Sequence, residues 1–187
     1  MRRGAALSAG LDEFYGRNMP DAPFREEEFV PLAQLYGRYA RVFNERGEEF
    51  FEGEVSWSET DLVQATARQP GARAWYVLDE GALGQPVRDR TVRELVALAP
   101  TAVAPERLPF PAPRGARVAV RVSPGITHTI GGLRVDERAR MLGEDGRPLE
   151  GVYAAGADVG GISTGGYASG LAAALVLGLA AAEAALS

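Results

Sequence analysis

Apolar positions recur along this 187-residue chain with a period that changes from segment to segment. Leu7, Leu11 and Phe14 fall at spacings of four and three, which predicts a helix over residues 5–16. Asn18-Met19-Pro20-Asp21-Ala22-Pro23 breaks that helix, and Phe29 to Phe51 reads as two strands around the turn Asn44–Gly47. Ser58-Glu59-Thr60-Asp61 looks like a helix start with Ser58 as its cap, and Gln69-Pro70-Gly71 ends that helix. Ala74–Leu78 is rich in strand formers, while Thr91–Ala99 puts Val92, Leu95, Val96 and Ala99 on one helical face. Five prolines between Pro100 and Pro113 predict a linker. Arg117–Val122 alternates like a strand with one buried face, and Leu133–Leu142 and Leu149–Ala155 flank Glu144-Asp145-Gly146-Arg147, whose Asp-Gly pair signals a hairpin turn.

The last segment carries the candidate chemistry. Gly151-Val152-Tyr153-Ala154-Ala155-Gly156-Ala157-Asp158 reads as a buried strand. It runs through Gly160-Gly161-Ile162-Ser163-Thr164-Gly165-Gly166-Tyr167 into an Ala/Leu tract, a helix reached through glycines. A glycine turn lets backbone approach a ligand closely, and the helix N-terminus behind it offers unpaired N–H groups and a positive dipole end. Such a turn suits the pyrophosphate of a dinucleotide or the electron-rich pyrimidine edge of a flavin, and equally serves as a tight packing turn without ligand. Gly165–Ala182 carries no charge but is mostly Ala and Gly, so a buried helix closing an α/β layer is expected rather than a membrane span.

Composition narrows the classes. With 46% apolar and 24% charged residues the chain is an ordinary globular sequence, long enough for one domain or two small ones. A net charge of −5 argues against a nucleic-acid surface. All 20 basic residues are arginines, which reflects coding bias at least as readily as function. Zero cysteines and a single histidine exclude disulfides, thiol-based flavin chemistry and most zinc or transition-metal sites. The apolar stretch after Met1-Arg2-Arg3 is too short for a secretory signal, so a cytoplasmic location is expected.

A second motif, Pro124-Gly125-Ile126-Thr127-His128-Thr129-Ile130-Gly131-Gly132-Leu133-Arg134-Val135-Asp136, lies upstream. Together the two resemble the C-terminal signature of the fumarate reductase and succinate dehydrogenase flavoprotein superfamily, which includes the 3-ketosteroid dehydrogenases. The order is the family's: a His-Thr-x-Gly-Gly turn, an acidic-Gly hairpin, a Gly-x-Tyr-Ala-Ala-Gly strand and a Gly-Gly helix start. The resemblance covers residues 118–187, and extends more weakly over 11–80 through Phe14-Tyr15-Gly16-Arg17 and Val42-Phe43-Asn44-Glu45-Arg46-Gly47. The Gly-x-Gly-x-x-Gly loop of the family's first βαβ unit does not occur, and Met1–Gly10 resembles the tail of a helix inside a family member. The resemblance therefore implies an α/β chain with an α+β cap region. Residues 1–115 would be a partial cap or substrate-side region. Residues 116–187 would be the C-terminal portion of a two-dinucleotide-binding FAD domain, without its first Rossmann unit.

The same resemblance implies FAD as cofactor, with Gly131, Gly132, Gly156, Gly160, Gly161, Gly165 and Gly166 bringing backbone toward the flavin. Amides of the last four would face the flavin C2 carbonyl and N1, where charge gathers on reduction. Asp158 resembles the acidic residue that accepts hydrogen bonds from the ribityl chain, or is a turn cap. His128 matches the histidine that holds a substrate carboxylate in fumarate reductases, or is a packed imidazole. Thr127 and Thr129 would orient it, or are ordinary strand residues. Tyr167 stands where those enzymes carry a bidentate arginine clamp, and resembles a tyrosine of the ketosteroid dehydrogenases that hydrogen-bonds a ketone. Its other reading is a half-buried helix aromatic. The pairing of His128 with Tyr167 is a hybrid and leaves the substrate open. A proton donor or acceptor is also needed; Arg107, Arg114 and Arg117 lie in the right stretch and none is assigned.

The expected function is an FAD-dependent oxidoreductase acting on CH–CH bonds next to a carbonyl or carboxylate, with hydride passing to or from the flavin. Two alternatives stand beside it: a catalytically silent fragment or subunit needing a separate N-terminal FAD-binding half, and a fumarate reductase-like dicarboxylate reductase. The partners expected are a small carbonyl or carboxylate substrate and either that N-terminal half or a second copy of the chain.

Overall fold

The computed structural model describes residues 4–52, 54–56, 58–162 and 167–187, with 167–169 described by backbone alone. In chain order the elements are β1 (Phe14–Pro20), α1 (Phe29–Leu32), β2 (Arg41–Phe43), α2 (Thr60–Ala67), β3 (Ala74–Leu78), α3 (Glu80–Leu83), β4 (Pro86–Val87), β5 (Arg90–Thr91), α4 (Val92–Leu98), β6 (Ala102–Val103), β7 (Val118–Thr129), β8 (Arg140–Leu142), β9 (Pro148–Tyr153) and α5 (Tyr167–Leu186). This mixture of helix and strand forms two compact units, one of residues 16–125 and one of residues 1–15 with 126–187.

The 16–125 unit is built on a five-stranded sheet ordered β1-β7-β3-β2, with β6 also paired to β7. Tyr76 of β3 sits opposite Val42 on one side and Val120 on the other, and all three are buried. Alternation sends Val120 and Val122 of β7 to a core shared with Tyr36, Leu62, Tyr76 and Leu95, while Ala119 packs with Phe43, Trp75 and Val77. Arg117–Val122 buries the expected face, and on the other side Ala119 is buried as well while Arg117 is exposed and Arg121 half-buried. The proline-rich stretch is not a free linker. Residues 102–103 pair with β7, and Phe110 packs at 5.4 Å from the Phe43 ring. Helix α4 starts as its sequence indicates, with the Thr91 hydroxyl and the Glu94 carboxylate forming a reciprocal cap.

Two local expectations fail in this unit. Of the two strands expected between Phe29 and Phe51, only β2 forms; residues 29–32 are helical and the return segment makes a single bridge, Phe43 to Glu49. The cap of α2 is Glu59, at φ 55°, rather than Ser58. Glu59 is buried, and its carboxylate accepts from the Gly37 N–H at 3.0 Å. Nearby, the Asn18 amide donates to Thr66 Oγ1 at 2.9 Å and to the Tyr76 hydroxyl at 2.8 Å.

In the second unit the Asp145-Gly146 turn joins β8 and β9 as expected. The helix expected over 5–16 is absent. Ala6 N–H donates to Leu142 O at 2.8 Å and Ser8 N–H to Gly132 O at 2.9 Å, so these amides are held by distant backbone and the segment is extended. The strand β9, expected to be buried, exposes Glu150, Gly151 and Val152. Helix α5 buries Ala173 and Leu177 against Ala139 and Val159. Its other face leaves Leu171, Leu175, Val176 and Leu179 between 60% and 75% exposed, so it is not the buried helix the sequence suggested. Among the described residues no helix is long and apolar enough to cross a membrane.

Candidate functional site

The two glycine motifs meet inside the second unit. Backbone of 131–133 lies against 8–10 on one side and 158–160 on the other. Gly131 N–H donates to Gly10 O at 2.9 Å, Gly132 N–H to Ser8 Oγ at 3.1 Å, Leu133 N–H to Asp158 O at 2.8 Å and Gly160 N–H to Leu133 O at 3.0 Å. A Cβ on Gly131 would stand 2.5 Å from Gly10 C and Leu11 N, and one on Gly132 2.5 Å from Asp158 O. These glycines let three backbone segments touch. Gly161, at φ 79°, donates its N–H to Ile130 O at 3.3 Å. The amides of Gly160 and Gly161, expected to face a flavin carbonyl, are thus engaged within the protein.

A cavity of about 270 Å³ opens beside this junction, lined by Thr127–Thr129, Gly156, Ala157, Val159 and the 170–174 stretch of α5. His128 is half-buried in its wall. The imidazole stacks on Tyr15, with ring centroids 5.3 Å apart and planes 25° from parallel, and lies against Gly170. The Thr129 hydroxyl sits 3.5 Å from Ala157 O, linking the His128 strand to the turn at the opposite rim. Gly156, at φ 67°, makes that turn, and the Asp158 carboxylate after it is exposed. The structure therefore brings His128, Thr127, Thr129 and Gly156 to one cavity. Gly131, Gly132 and Gly160 build the junction behind it, and Asp158 lies on the rim turn. Gly165, Gly166 and the Tyr167 side chain lie outside the described residues. Arg107, Arg114 and Arg117 belong to the other unit.

Sequence reasoning missed Tyr15 as a neighbour of His128, Ser8 as the acceptor for Gly132, and Gly170 in the cavity wall. Tyr15 carries no local signal that pairs it with a residue 113 positions away. A glycine inside an alanine-rich helix was a signal available for Gly170.

The dimensions bear on what can bind. Sites for drug-sized ligands occupy about 300–1,000 Å³, so this cavity takes one end of a large cofactor and not the whole. Its apolar walls suit a flat ring, and the His128 and Thr127–Thr129 groups suit a polar ring edge or a substrate oxygen.

A family model described as an FAD binding domain matches residues 19–173. An NADH:acrylate oxidoreductase of Vibrio harveyi is 47% identical over 47 residues, 25% of this chain and 5% of that protein. An NADH:fumarate oxidoreductase of Klebsiella pneumoniae (strain 342) is 41% identical over 59 residues, 32% of this chain and 6% of that protein. The 3-ketosteroid delta1-dehydrogenase from Sterolibacterium denitrificans shares the fold, with a TM-score of 0.60 at 18% identity over 97% of this chain and 44% of that one. The chain thus spans less than half the length of the solved structure and a small fraction of the curated relatives.

Proposed function

Because this chain belongs to the family of FAD binding domains, we propose that it forms the flavin-ring end of an FAD-dependent oxidoreductase. The enzyme would act on a C–C bond beside a carbonyl or carboxylate. The observation that carries this reading is the cavity that joins His128 to the turn at Gly156 and the start of α5. Its substrate class is supported by two relatives named for acrylate and fumarate, both α,β-unsaturated carboxylates.

Bound FAD supplies the hydride acceptor or donor. The protein's part is to hold and orient. His128 offers an imidazole N–H to the substrate carbonyl or carboxylate oxygen, which polarises the adjacent C–C bond as hydride leaves or arrives. Thr127 and Thr129 fix the strand that carries His128. Val159, Leu171, Ala173 and Ala174 line the cavity with apolar surface and limit water there. Gly131, Gly132 and Gly160 contribute by fixing the backbone that shapes the cavity. In this reading the carboxylate of Asp158, exposed on the rim turn, accepts from a ribityl hydroxyl. Gly165, Gly166 and Tyr167 keep in this reading the roles that the family resemblance gives them, backbone amides toward the flavin and a hydroxyl toward the substrate.

A second reading is favoured by the apolar outer face of α5 and the fraction of its relatives that the chain spans. The site described is then one component, completed by the remaining FAD-binding part on the same or a separate polypeptide, and silent without it. Turnover assays separate the two. Activity of the 187-residue chain alone with FAD and an enone or acrylate excludes the second reading. Activity only after the complementary part is supplied supports it.

A further inference from the structure

We propose that Tyr15 and Gly170 are positioning residues that hold the His128 imidazole in one orientation at the cavity, an inference that rests on His128 being the substrate-binding group. Three observations carry it. Tyr15 is 1% exposed, so its ring is a fixed wall rather than a mobile surface group. It stacks on the imidazole at 5.3 Å between centroids with planes 25° apart, an offset aromatic arrangement.

Gly170 supplies the other constraint. A Cβ there would lie 3.2 Å from His128 Cε1 and 3.5 Å from both Nδ1 and Nε2. Near-equal distances to three consecutive ring atoms place that point over the ring face, not beyond its edge. The imidazole therefore rests flat on helix backbone, and any side chain at position 170 would lift it. Glycine inside a helix is disfavoured relative to alanine, and α5 otherwise uses mostly alanine for its small positions. Gly178 of the same helix has open space around it among the described residues and serves as a control. With its plane set by Tyr15 and Gly170, the ring keeps its edge, where both nitrogens lie, as the part able to meet a ligand.

The chain has a single histidine, so isotope-labelled histidine gives one set of ring signals. In the 187-residue protein, cross-relaxation between the Tyr15 and His128 rings is expected. Tyr15→Phe should leave the His128 signals in place, because the ring remains. Tyr15→Leu and Gly170→Ala should both move them, and Gly178→Ala should not. If Tyr15→Leu fails to fold, Gly170→Ala against Gly178→Ala decides. Unmoved His128 signals in folded Tyr15→Leu and Gly170→Ala, or equal shifts in Gly170→Ala and Gly178→Ala, overturn the proposal. In the complete enzyme, Tyr15→Leu should lower turnover at unchanged flavin content, with Tyr15→Phe restoring it. Shifted signals with no dependence of turnover on His128 would sink only the substrate reading; unmoved signals with His128-dependent turnover would sink only the positioning role.

Discussion

Gly132 and Gly160 are packed backbone to backbone: a Cβ on Gly132 would lie 2.9 Å from Gly160 N and 2.5 Å from Asp158 O. Neither neighbour is a flexible side chain that could swing aside. Gly132→Ala should therefore cost about 3 kcal/mol or more, the upper end of what overpacking costs. Gly146→Ala offers the comparison. Its φ is +74° with nothing among the described residues within 4 Å, so the cost is that of the left-handed backbone, about 1–2 kcal/mol. Urea denaturation should rank Gly132→Ala clearly below Gly146→Ala; equal midpoints would contradict the packing role.

The buried Glu59 makes stability depend on pH. Desolvation by burial raises its carboxyl pKa to about 7, opposed by the Gly37 N–H and by Arg38, with Asp61 adding to the rise. Tyr36 and Tyr76 stand in the same surroundings, and burial raises both of them well above the ordinary tyrosine value. A carboxyl whose folded pKa lies above its unfolded value holds more protons when folded. Its contribution to stability is full below about pH 4.5 and is lost as pH rises toward and through 7, amounting to about 3 kcal/mol. Unfolding free energy should fall between pH 5 and 8, and Glu59→Gln should flatten that fall and stabilise the protein at pH 8. A slope unchanged by the substitution would contradict the assignment.

His128→Ala in the complete enzyme should lower turnover roughly ten- to a hundredfold, the value of a hydrogen bond to a charged or polarised oxygen. Flavin content should stay nearly constant, because the junction of Gly131, Gly132 and Gly160 does not depend on the imidazole. Absorbance of the purified variant beside its rate checks this. Loss of colour in proportion to activity would assign the imidazole to holding the flavin in that cavity rather than the substrate.

The substrate should not be a small dicarboxylate. By the family resemblance Tyr167 takes the position of the fumarate reductases' bidentate arginine clamp, and tyrosine carries one neutral hydroxyl. Assays of the complete enzyme with fumarate and succinate against acrylate, enones and saturated ketones should show turnover of the single-carbonyl compounds. Efficient turnover of fumarate alone would contradict this.

What the sequence made legible was local. Ala74–Leu78, the helix that starts at Thr91 and the Asp145-Gly146 turn carry their own signals within a few residues, and each forms as expected. Residues 5–16 show the opposite case. The helical spacing of Leu7, Leu11 and Phe14 is real, yet amides of Ala6 and Ser8 are taken by Leu142 and Gly132, over a hundred positions away. Leu7 and Leu11 are in fact 54% and 56% exposed. Glu59 takes the cap position in place of Ser58 without a side-chain cap hydrogen bond, and its carboxylate is held instead by Gly37, a tertiary partner. In the candidate site, the motifs singled out His128 and the glycines, but not that Gly131, Gly132 and Gly160 pack backbone on backbone. The Tyr15 stack could not be seen, because stacking across 113 positions leaves no trace in spacing.

The central claim, that the flavin ring end sits in the His128 cavity, is tested most directly by titrating the 187-residue chain with riboflavin and with FAD while following the His128 ring signals. Both ligands should move those signals, with similar affinities weaker than micromolar, because a cavity of about 270 Å³ engages the ring end they share. Submicromolar, stoichiometric FAD binding well above that of riboflavin, or flavin binding that leaves His128 unmoved, would contradict it.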